Sequence, residues 1–175
     1  MKPDPLRFDI RNYRPEDFPR LHQIDRICFP PDVAYSRSEL LFYIKHPDSI
    51  TRVASLGDRV IGFVARRLED DSCAHVLTLD VIPEEQRRKV GTGLMGALHE
   101  EFARRKVVMV FLEVDALAEG SRRFYENLGY RWVETLRRYY SARRDAHRMV
   151  CFLKKEPGAR RQKFSPPGRG DAEVD

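Results

Sequence analysis

The chain has 175 residues, 42% of them hydrophobic, which is enough for one domain with a sizeable core. Its formal net charge is +5, but the 32 basic and 27 acidic residues are interspersed and no nucleic-acid-binding motif accompanies them. No apolar segment approaches membrane-spanning length, the N-terminus lacks a signal-peptide core, and the 3 cysteines have no metal-binding spacing, so we expect a soluble, cytoplasmic protein without a metal, membrane or specific nucleic-acid partner.

The N-terminal half predicts a strand, two helices and a hairpin, in that order. A strand near Leu6 to Tyr13 precedes the first helix, which Cys28-Phe29-Pro30-Pro31 ends. Ser36 opens the second helix, because Ser36 and Glu39 form a capping-box pattern. The turn residues Gly57-Asp58 then predict a hairpin. Its strands run from Ile50 to Ala54 and from Arg59 to Arg66.

The C-terminal half centres on a strand, a helix and a second strand. The first strand spans Ala74 to Val81, and an arginine-rich turn leads to a helix that opens near Gly91-Thr92-Gly93. The next strand ends in Leu112-Glu113-Val114, and a short helix carries Phe124 to Tyr130. Together with the strands of the N-terminal half, this order predicts a mixed α/β sheet. The closing strands are Arg131 to Tyr140 and Ala146 to Lys154.

We predict one domain over residues 1–154 and a disordered tail, first basic and then acidic, over residues 155–175. After Lys154 the composition shifts to proline, glycine and arginine. Too little of this segment is apolar to offset the entropy of ordering it. The sequence predicts no function for the tail.

The turn between the central strand and helix has the composition of a phosphate-binding site. The first turn of a helix presents free backbone N–H groups at the positive end of its dipole. Three consecutive cations, Arg87, Arg88 and Lys89, precede that turn here, and arginine offers forked donors suited to phosphate oxygens. We therefore predict that a pyrophosphate binds near Gly91. The alternative is a solvated basic turn.

From Val76 to Met149 the chain resembles the GNAT superfamily of acetyl-coenzyme A (acetyl-CoA) dependent N-acetyltransferases. Within it, the chain is most similar to the protein N-terminal branch, the ribosomal-protein alanine acetyltransferase type. The resemblance rests on a Gln/Arg-x-x-Gly-x-Gly/Ala phosphate motif, on Leu112-Glu113-Val114, and on Phe124 to Tyr130, which matches Tyr-x-x-x-Gly-Phe. It implies a mixed sheet of about seven strands, splayed in the middle and flanked by about four helices, with the acetyl group in the gap.

The phosphate motif fits the sequence in two registers, Arg88 to Gly93 and Gln86 to Gly91. Distances to the flanking strands favour the second, which places Lys89 where the family has its first glycine. Ala118 is a further departure, since similar proteins have an asparagine there that caps a helix and touches the coenzyme. The resemblance implies coenzyme contacts at Leu79, Asp80, Val81, Gln86, Arg87, Arg88, Lys89, Val90, Gly91, Thr92, Gly93 and Ala118.

Acetyl transfer from a thioester requires a neutral amine, a polarised carbonyl group and a proton for the departing thiolate. The resemblance implies Glu113 as the base and Tyr125 as the acid, with the amine attacking directly in a ternary complex. His75 is a rival base, and strand alternation places it on the same face as Leu79 and Val81. The N–H of Val81 would hold the carbonyl oxygen if the strands part there. Purely structural roles also stay open. Glu113 could form a salt bridge, His75 could be a strand residue whose hydrogen bonds are satisfied, and Tyr125 could serve in packing.

Two aromatic segments resemble the walls of a peptide groove. Tyr139 and Tyr140 are similar to the tyrosine pair with which N-terminal acetyltransferases cover a peptide, and Phe29 and Pro30 are similar to the opposite wall. Such a groove would be too narrow for a lysine side chain to pass. The resemblance therefore implies a protein or peptide N-terminus as the substrate, with the ribosome as a candidate partner.

Two other functions stay open at this stage. Acetylation of a small amine would require an acidic pocket, for which Asp32 and Glu134 are the obvious residues. A noncatalytic acetyl-CoA-binding module would account for Lys89 and Ala118 as signs of decay. Against that second alternative, Glu113 and an appropriately spaced tyrosine are both retained.

Overall fold

The computed structural model describes residues 8–153, which form one seven-stranded sheet and four α-helices. The strands are β1 (Asp9–Asn12), β2 (Ser49–Leu56), β3 (Arg59–Leu68), β4 (Cys73–Val81), β5 (Met109–Asp115), β6 (Arg131–Ser141) and β7 (Arg144–Phe152). The helices are α1 (Phe18–Cys28), α2 (Arg37–Lys45), α3 (Val90–Arg104) and α4 (Glu119–Asn127). The strand order is β1-β2-β3-β4-β5-β7-β6, and only β4 and β5 pair in parallel. The predicted mixed α/β fold class is confirmed.

Local sequence signals account for several helix boundaries. Ser36 Oγ accepts the Glu39 N–H at 3.2 Å and Glu39 Oε2 accepts the Ser36 N–H at 2.8 Å, so the predicted capping box is present. The chain becomes extended at Phe29, where α1 ends as predicted. The last helix is shorter than expected, because it ends at Asn127 and Gly129 follows with φ +92°.

Two expectations concern residues at the ends of the chain. The predicted tail, residues 155–175, lies outside the described residues, as does the start of the first predicted strand.

Between residues 8 and 153, no helix is both long and apolar enough to cross a membrane. The same part of the chain contains no cluster of His, Cys, Asp or Glu side chains that could bind a metal ion.

Helices cover both faces of the sheet. Leu79 of β4 lies against Gly91 of α3, whereas the adjacent Asp80 interacts with Asp25 of α1. Because neighbouring strand residues point to opposite faces, α3 and α1 lie on opposite sides of β4. The apolar face of α3 is buried in the main core through Leu94, Met95, Leu98 and Phe102.

The two central strands separate after a short paired stretch. Residues Cys73 to Val76 of β4 pair with Met109 to Leu112 of β5, and no further pair joins the two strands, which are both fully described. The strands nevertheless continue to Val81 and Asp115. The splayed gap that the resemblance implies is therefore present.

A β-bulge lies where the strands begin to separate. Val76 pairs with Arg66 of β3, but Thr78 pairs with Ala65, so Leu77 is an extra residue in β4. Ala65 and Arg66 are adjacent and therefore point to opposite faces of the sheet. Val76 and Thr78 consequently also point to opposite faces.

The bulge corrects one prediction about the site. His75 lies on the same face of the sheet as Thr78, whereas Leu79 and Val81 lie on the other face. The prediction that His75 shares a face with Leu79 and Val81 is therefore wrong. Simple alternation fails because it does not count the extra residue. His75 therefore points to the face on which α1 packs.

Candidate active site

The turn before α3 has an unusual backbone. Lys89 has φ +64° and ψ 12°, the left-handed conformation, and Arg87 also has a positive φ of +61°. Glycine is the residue that adopts such a conformation without strain. This geometry supports the register in which Lys89 occupies the first glycine position of the phosphate motif.

The left-handed Lys89 directly before the right-handed first residue of α3, Val90, suits an anion. Successive N–H groups in such a segment converge into a concave site, next to the first turn of α3. Gln86 Nε2 donates to the Val81 carbonyl at 3.0 Å and so folds the turn back onto β4. Arg88 lies 3.4 Å from Glu85, but its side chain is still 48% exposed.

The two glycines that open α3 have different surroundings. A Cβ on Gly93 would lie 3.0 Å from Phe8 and 3.1 Å from Ile10, so the glycine allows α3 to pack closely on this segment. Its N–H donates to the Lys89 carbonyl at 2.9 Å and is already used. Gly91 lies against the Phe124 ring, which brings α4 to the start of α3.

The end of β4 offers a backbone donor to the gap. Ile82 donates to the Ile61 carbonyl of β3 at 3.0 Å, so the adjacent Val81 N–H points away from β3. That direction faces the gap which β5 has left. The Val81 carbonyl on the same side accepts hydrogen bonds from Gln86 and, at 3.3 Å, from Cys28 Sγ.

The two rival bases are in contact. His75 Nε2 lies 2.6 Å from Glu113 Oε2, and Arg148 Nε donates to Glu113 Oε1 at 2.9 Å. The imidazole stacks on Phe111 with ring centroids 4.3 Å apart, and its Nδ1 lies 3.7 Å from Glu69. Both oxygens of the Glu113 carboxylate are therefore engaged, and its side chain is only 5% exposed.

This contact changes the charge state of both groups. Burial disfavours the charged imidazole, but the Glu113 carboxylate, with help from Glu69, outweighs it and raises the pKa of His75. Burial likewise favours a neutral Glu113, but His75 and Arg148 outweigh it and lower its pKa. Each group therefore favours the charged form of the other, and neither is a free base.

Tyr125 is a buried phenol that packs among aromatic rings. The ring is buried and packs edge to face on Phe124 and Tyr130, with centroids 5.1 and 5.7 Å away. Burial, together with the nearby Asp80, raises the pKa of the Tyr125 phenol. The hydroxyl therefore keeps its proton at neutral pH.

The coenzyme contact predicted at Asp80 would involve its backbone, because its side chain lies on the α1 face. Its side chain is fully buried on the α1 face, where it accepts a hydrogen bond from the Thr78 hydroxyl. Burial and the neighbouring Asp25 raise the pKa of Asp80 well above its ordinary value. At this position, only the backbone lies along the gap.

Ala118 leaves α4 without a side-chain cap, as its residue type predicts. Asp115 organises this turn instead. Its Oδ1 accepts the Leu117 N–H at 2.9 Å, and its backbone carbonyl accepts the Ala118 N–H at 2.9 Å. The helix start is therefore maintained without the asparagine.

Tyr139 and Tyr140 lie in a bulged part of the β6–β7 hairpin. Pairing stops at Leu136 and resumes only at Ser141, and the two rings meet edge to face at 4.9 Å. Arg138, with φ +54°, donates its N–H to Asp145 Oδ1 at 2.7 Å and fixes one end of the bulge. Ser141 and Arg144 of this hairpin contact Asp32 in the α1–α2 segment, in which Phe29 and Pro30 follow α1.

The sequence did not reveal the partners of several charged residues. Arg148 is 5% exposed and lies in an apolar strand segment, which was the one available signal of a buried charge with a partner. Glu134 accepts a hydrogen bond from Arg148 at 3.2 Å, and Asp32 accepts one from Arg144 at 2.9 Å. The two acids expected to line an amine pocket are therefore paired with arginines.

Comparison with known proteins identifies the class. The profile of the acetyltransferase (GNAT) family matches residues 18–130. An N-alpha-acetyltransferase of Sulfurisphaera tokodaii is 26% identical over 164 residues, covering 83% of this chain and 93% of the relative. The chain therefore belongs to the GNAT acetyltransferase family of acyl-transfer enzymes, which uses acetyl-CoA.

Solved structures share the fold. Ard1 of Thermoplasma volcanium superposes with a TM-score of 0.77 at 24% identity, covering 85% of this chain and 99% of that one. The ribosomal-protein-S18-alanine N-acetyltransferase of Escherichia coli gives 0.76 at 22% identity, covering 90% and 100%. An aminoglycoside 6'-N-acetyltransferase complexed with coenzyme A gives 0.74 at 20%, covering 86% and 99%. At these identities the likeness shows the fold alone.

We expect Lys89→Gly to stabilise the protein by up to about 1 kcal/mol, because glycine relieves the left-handed strain. Acetyl-CoA should bind as tightly as before or more tightly, since the backbone can approach a phosphate more closely. Thermal unfolding and calorimetric titration measure the two effects. Lys106→Gly is the matched control, because Lys106 is also left-handed, with φ +60°, at the far end of α3. A large loss of affinity in Lys89→Gly alone would show that its ammonium group is itself a phosphate ligand.

Proposed function

We propose that the protein transfers acetyl from acetyl-CoA to the α-amino group of a protein or peptide N-terminus, by direct attack in a ternary complex. The observation that carries this proposal is the engaged state of the His75–Glu113 pair. Because both candidate bases, His75 and Glu113, are already paired, the site suits an acceptor amine of which a sizeable fraction is neutral without help from a base. The N-alpha-acetyltransferase relative supports the same acceptor.

The argument depends on the basicity of the acceptor. An α-amino group has a pKa of about 8 and a lysine about 10.4, so near pH 7.5 roughly a quarter of the former and about 0.1% of the latter is neutral. An arriving ammonium group would also have to compete with His75 and Arg148 for the Glu113 carboxylate. The site therefore favours an amine that arrives without its extra proton.

The other residues have roles that fit this chemistry. The pyrophosphate of the coenzyme would bind at Gln86 to Gly91 and the first turn of α3, and the Val81 N–H would hold the thioester oxygen. The amine nitrogen forms a bond to the carbonyl carbon, and the carbon–sulfur bond breaks. Tyr125 gives its proton to the departing thiolate, while the nitrogen loses its remaining excess proton through water to the His75–Glu113 pair.

The partner and the compartment follow from this acceptor. A cytoplasmic enzyme of this kind would meet N-termini as they leave the ribosome, and the +5 formal charge suits an acidic surface. A small amine is less well served, because Asp32 and Glu134, the acids it would require, are occupied by arginines.

The test measures coenzyme A release against two panels of equal amine concentration. One contains short peptides with free N-termini, and the other contains polyamines, aminoglycosides and amino acids. The proposal predicts release with peptides, dependent on the first residue. Release with small amines only would move the function to that class, and acetyl-CoA binding without any release would indicate a noncatalytic module.

A further inference from the structure

A second carboxylate faces the imidazole of His75. Glu69, which follows β3, lies with Oε1 3.7 Å from His75 Nδ1, whereas Glu113 contacts the other ring nitrogen, Nε2. The ring therefore has one carboxylate at each nitrogen. Its stacking on Phe111 fixes the ring plane, and the two carboxylates fix which nitrogen faces which strand.

The Glu69 side chain is itself held in place. Arg67 of β3 donates to Glu69 Oε1 from Nε at 3.0 Å and from Nη2 at 2.9 Å. The Glu69 N–H donates to the Cys73 carbonyl at 2.9 Å, which fixes its backbone to the start of β4. Arg67 and His75 are cross-strand partners and therefore point to the same face of the sheet. The position of the second carboxylate is thus set by the fold.

These contacts keep Glu69 ionised. Burial favours the neutral carboxyl group, but His75 and Arg67 outweigh it and lower the pKa of Glu69. Its side chain is only 14% exposed, so water screens the charge weakly. Charged groups surround His75 from both neighbouring strands and from β7, and they are Glu69 and Arg67 on the β3 side, Glu113 of β5, and Arg148 of β7 behind Glu113.

We infer that Glu69 is a positioning residue of the reaction, which holds His75 by Nδ1 so that Nε2 stays against Glu113, and which stabilises the imidazolium form. The inference rests on the proposed function. In that function the acceptor nitrogen gives a proton to the His75–Glu113 pair, so an N–H bond of the amine breaks and one forms on the imidazole. Glu69 remains a carboxylate throughout, and its negative charge favours the protonated ring.

The experiment compares the wild type with two variants of Glu69. Glu69→Gln keeps the size of the side chain but removes its charge, whereas Glu69→Asp keeps the charge on a shorter side chain. Asp71→Asn is the matched control, because Asp71 is an exposed acid in the same β3–β4 turn. An NMR titration follows the imidazole of His75, assigned by its absence from His75→Gln. Coenzyme A release with a peptide that has a free N-terminus is measured over the same pH range.

Glu69→Gln should lower the pKa at which His75 titrates, because one of the two carboxylates that favour its charged form is gone. The rise of activity with pH should move to lower pH as well, but by less than in Glu113→Gln, since Glu113 lies closer to the ring. We expect kcat to fall about three- to tenfold, with the KM for acetyl-CoA unchanged. Glu69→Asp should stay nearer to the wild type in both respects, and Asp71→Asn should match it.

Three outcomes would contradict the inference or its basis. An unchanged His75 titration and an unchanged pH profile in Glu69→Gln would overturn the inference while leaving the proposed function intact. Equal losses of kcat in Glu69→Gln and Glu69→Asp, without a shift in either titration, would overturn it by showing that Glu69 only supports the fold. A wild type that releases no coenzyme A with any peptide would contradict the proposed function, and the inference would fall with it whatever the titration shows.

Discussion

Tyr125→Phe is expected to lower kcat by about 10²-fold or more, because the thiolate would then leave without a positioned proton donor. The phenol is buried, and its raised pKa keeps it protonated over the whole physiological range. The affinity for acetyl-CoA should change little, since the ring that packs against Phe124 and Tyr130 is retained. Steady-state kinetics and calorimetric titration separate the two effects.

The control for this prediction is Tyr43→Phe. Tyr43 also packs edge to face on aromatic neighbours, Tyr35 and Phe42, but it lies on α2, which contributes no residue to the predicted site. Loss of its hydroxyl should leave kcat unchanged. An unchanged kcat in Tyr125→Phe as well would remove Tyr125 from the mechanism.

Glu113→Gln is expected to lower kcat/KM by about 10²-fold, and by more than His75→Gln does. The substitution keeps the shape of the side chain but removes the charge that both His75 and Arg148 face. Because the pair acts as a unit, the double variant should be little worse than Glu113→Gln alone. The reverse order of the single variants would assign the larger role to His75.

Two further measurements separate catalysis from folding. Glu134→Gln removes the other carboxylate partner of Arg148 but leaves the His75–Glu113 contact, so it should retain activity. Wild-type activity should rise with pH as His75 loses its proton, above its ordinary pKa because Glu113 raises it. In Glu113→Gln this rise in activity should occur at lower pH, since the carboxylate that favours the imidazolium is gone. If the rise does not shift, the proton does not pass through the His75–Glu113 pair.

Local signals in the sequence predicted much of the fold. The capping box of Ser36 and Glu39 and the turn at Gly57-Asp58 each specify a structure within a few residues, so they needed no tertiary information. The left-handed Lys89 fits the motif register that was chosen from distances to the flanking strands. These predictions depend on the chemistry of neighbouring residues.

The remaining features depend on contacts between distant parts of the chain. The bulge at Leu77 reverses the face of His75, and nothing in the local alternation indicates an extra residue. His75 and Glu113 were treated as rivals because sequence does not show that separate strands bring them within 2.6 Å. The hydrogen bond from Arg144 to Asp32 depends on a hairpin that returns to the α1–α2 segment, more than a hundred residues earlier in the chain.

The most direct measurement uses one peptide that contains both a free α-amino group and an internal lysine. After incubation with acetyl-CoA, fragmentation by mass spectrometry locates the added acetyl group. Our account predicts acetylation of the α-amino group, with the lysine unmodified, because the engaged His75–Glu113 pair gives little help to a fully protonated amine. Acetylation of the lysine in preference to the α-amino group would contradict it.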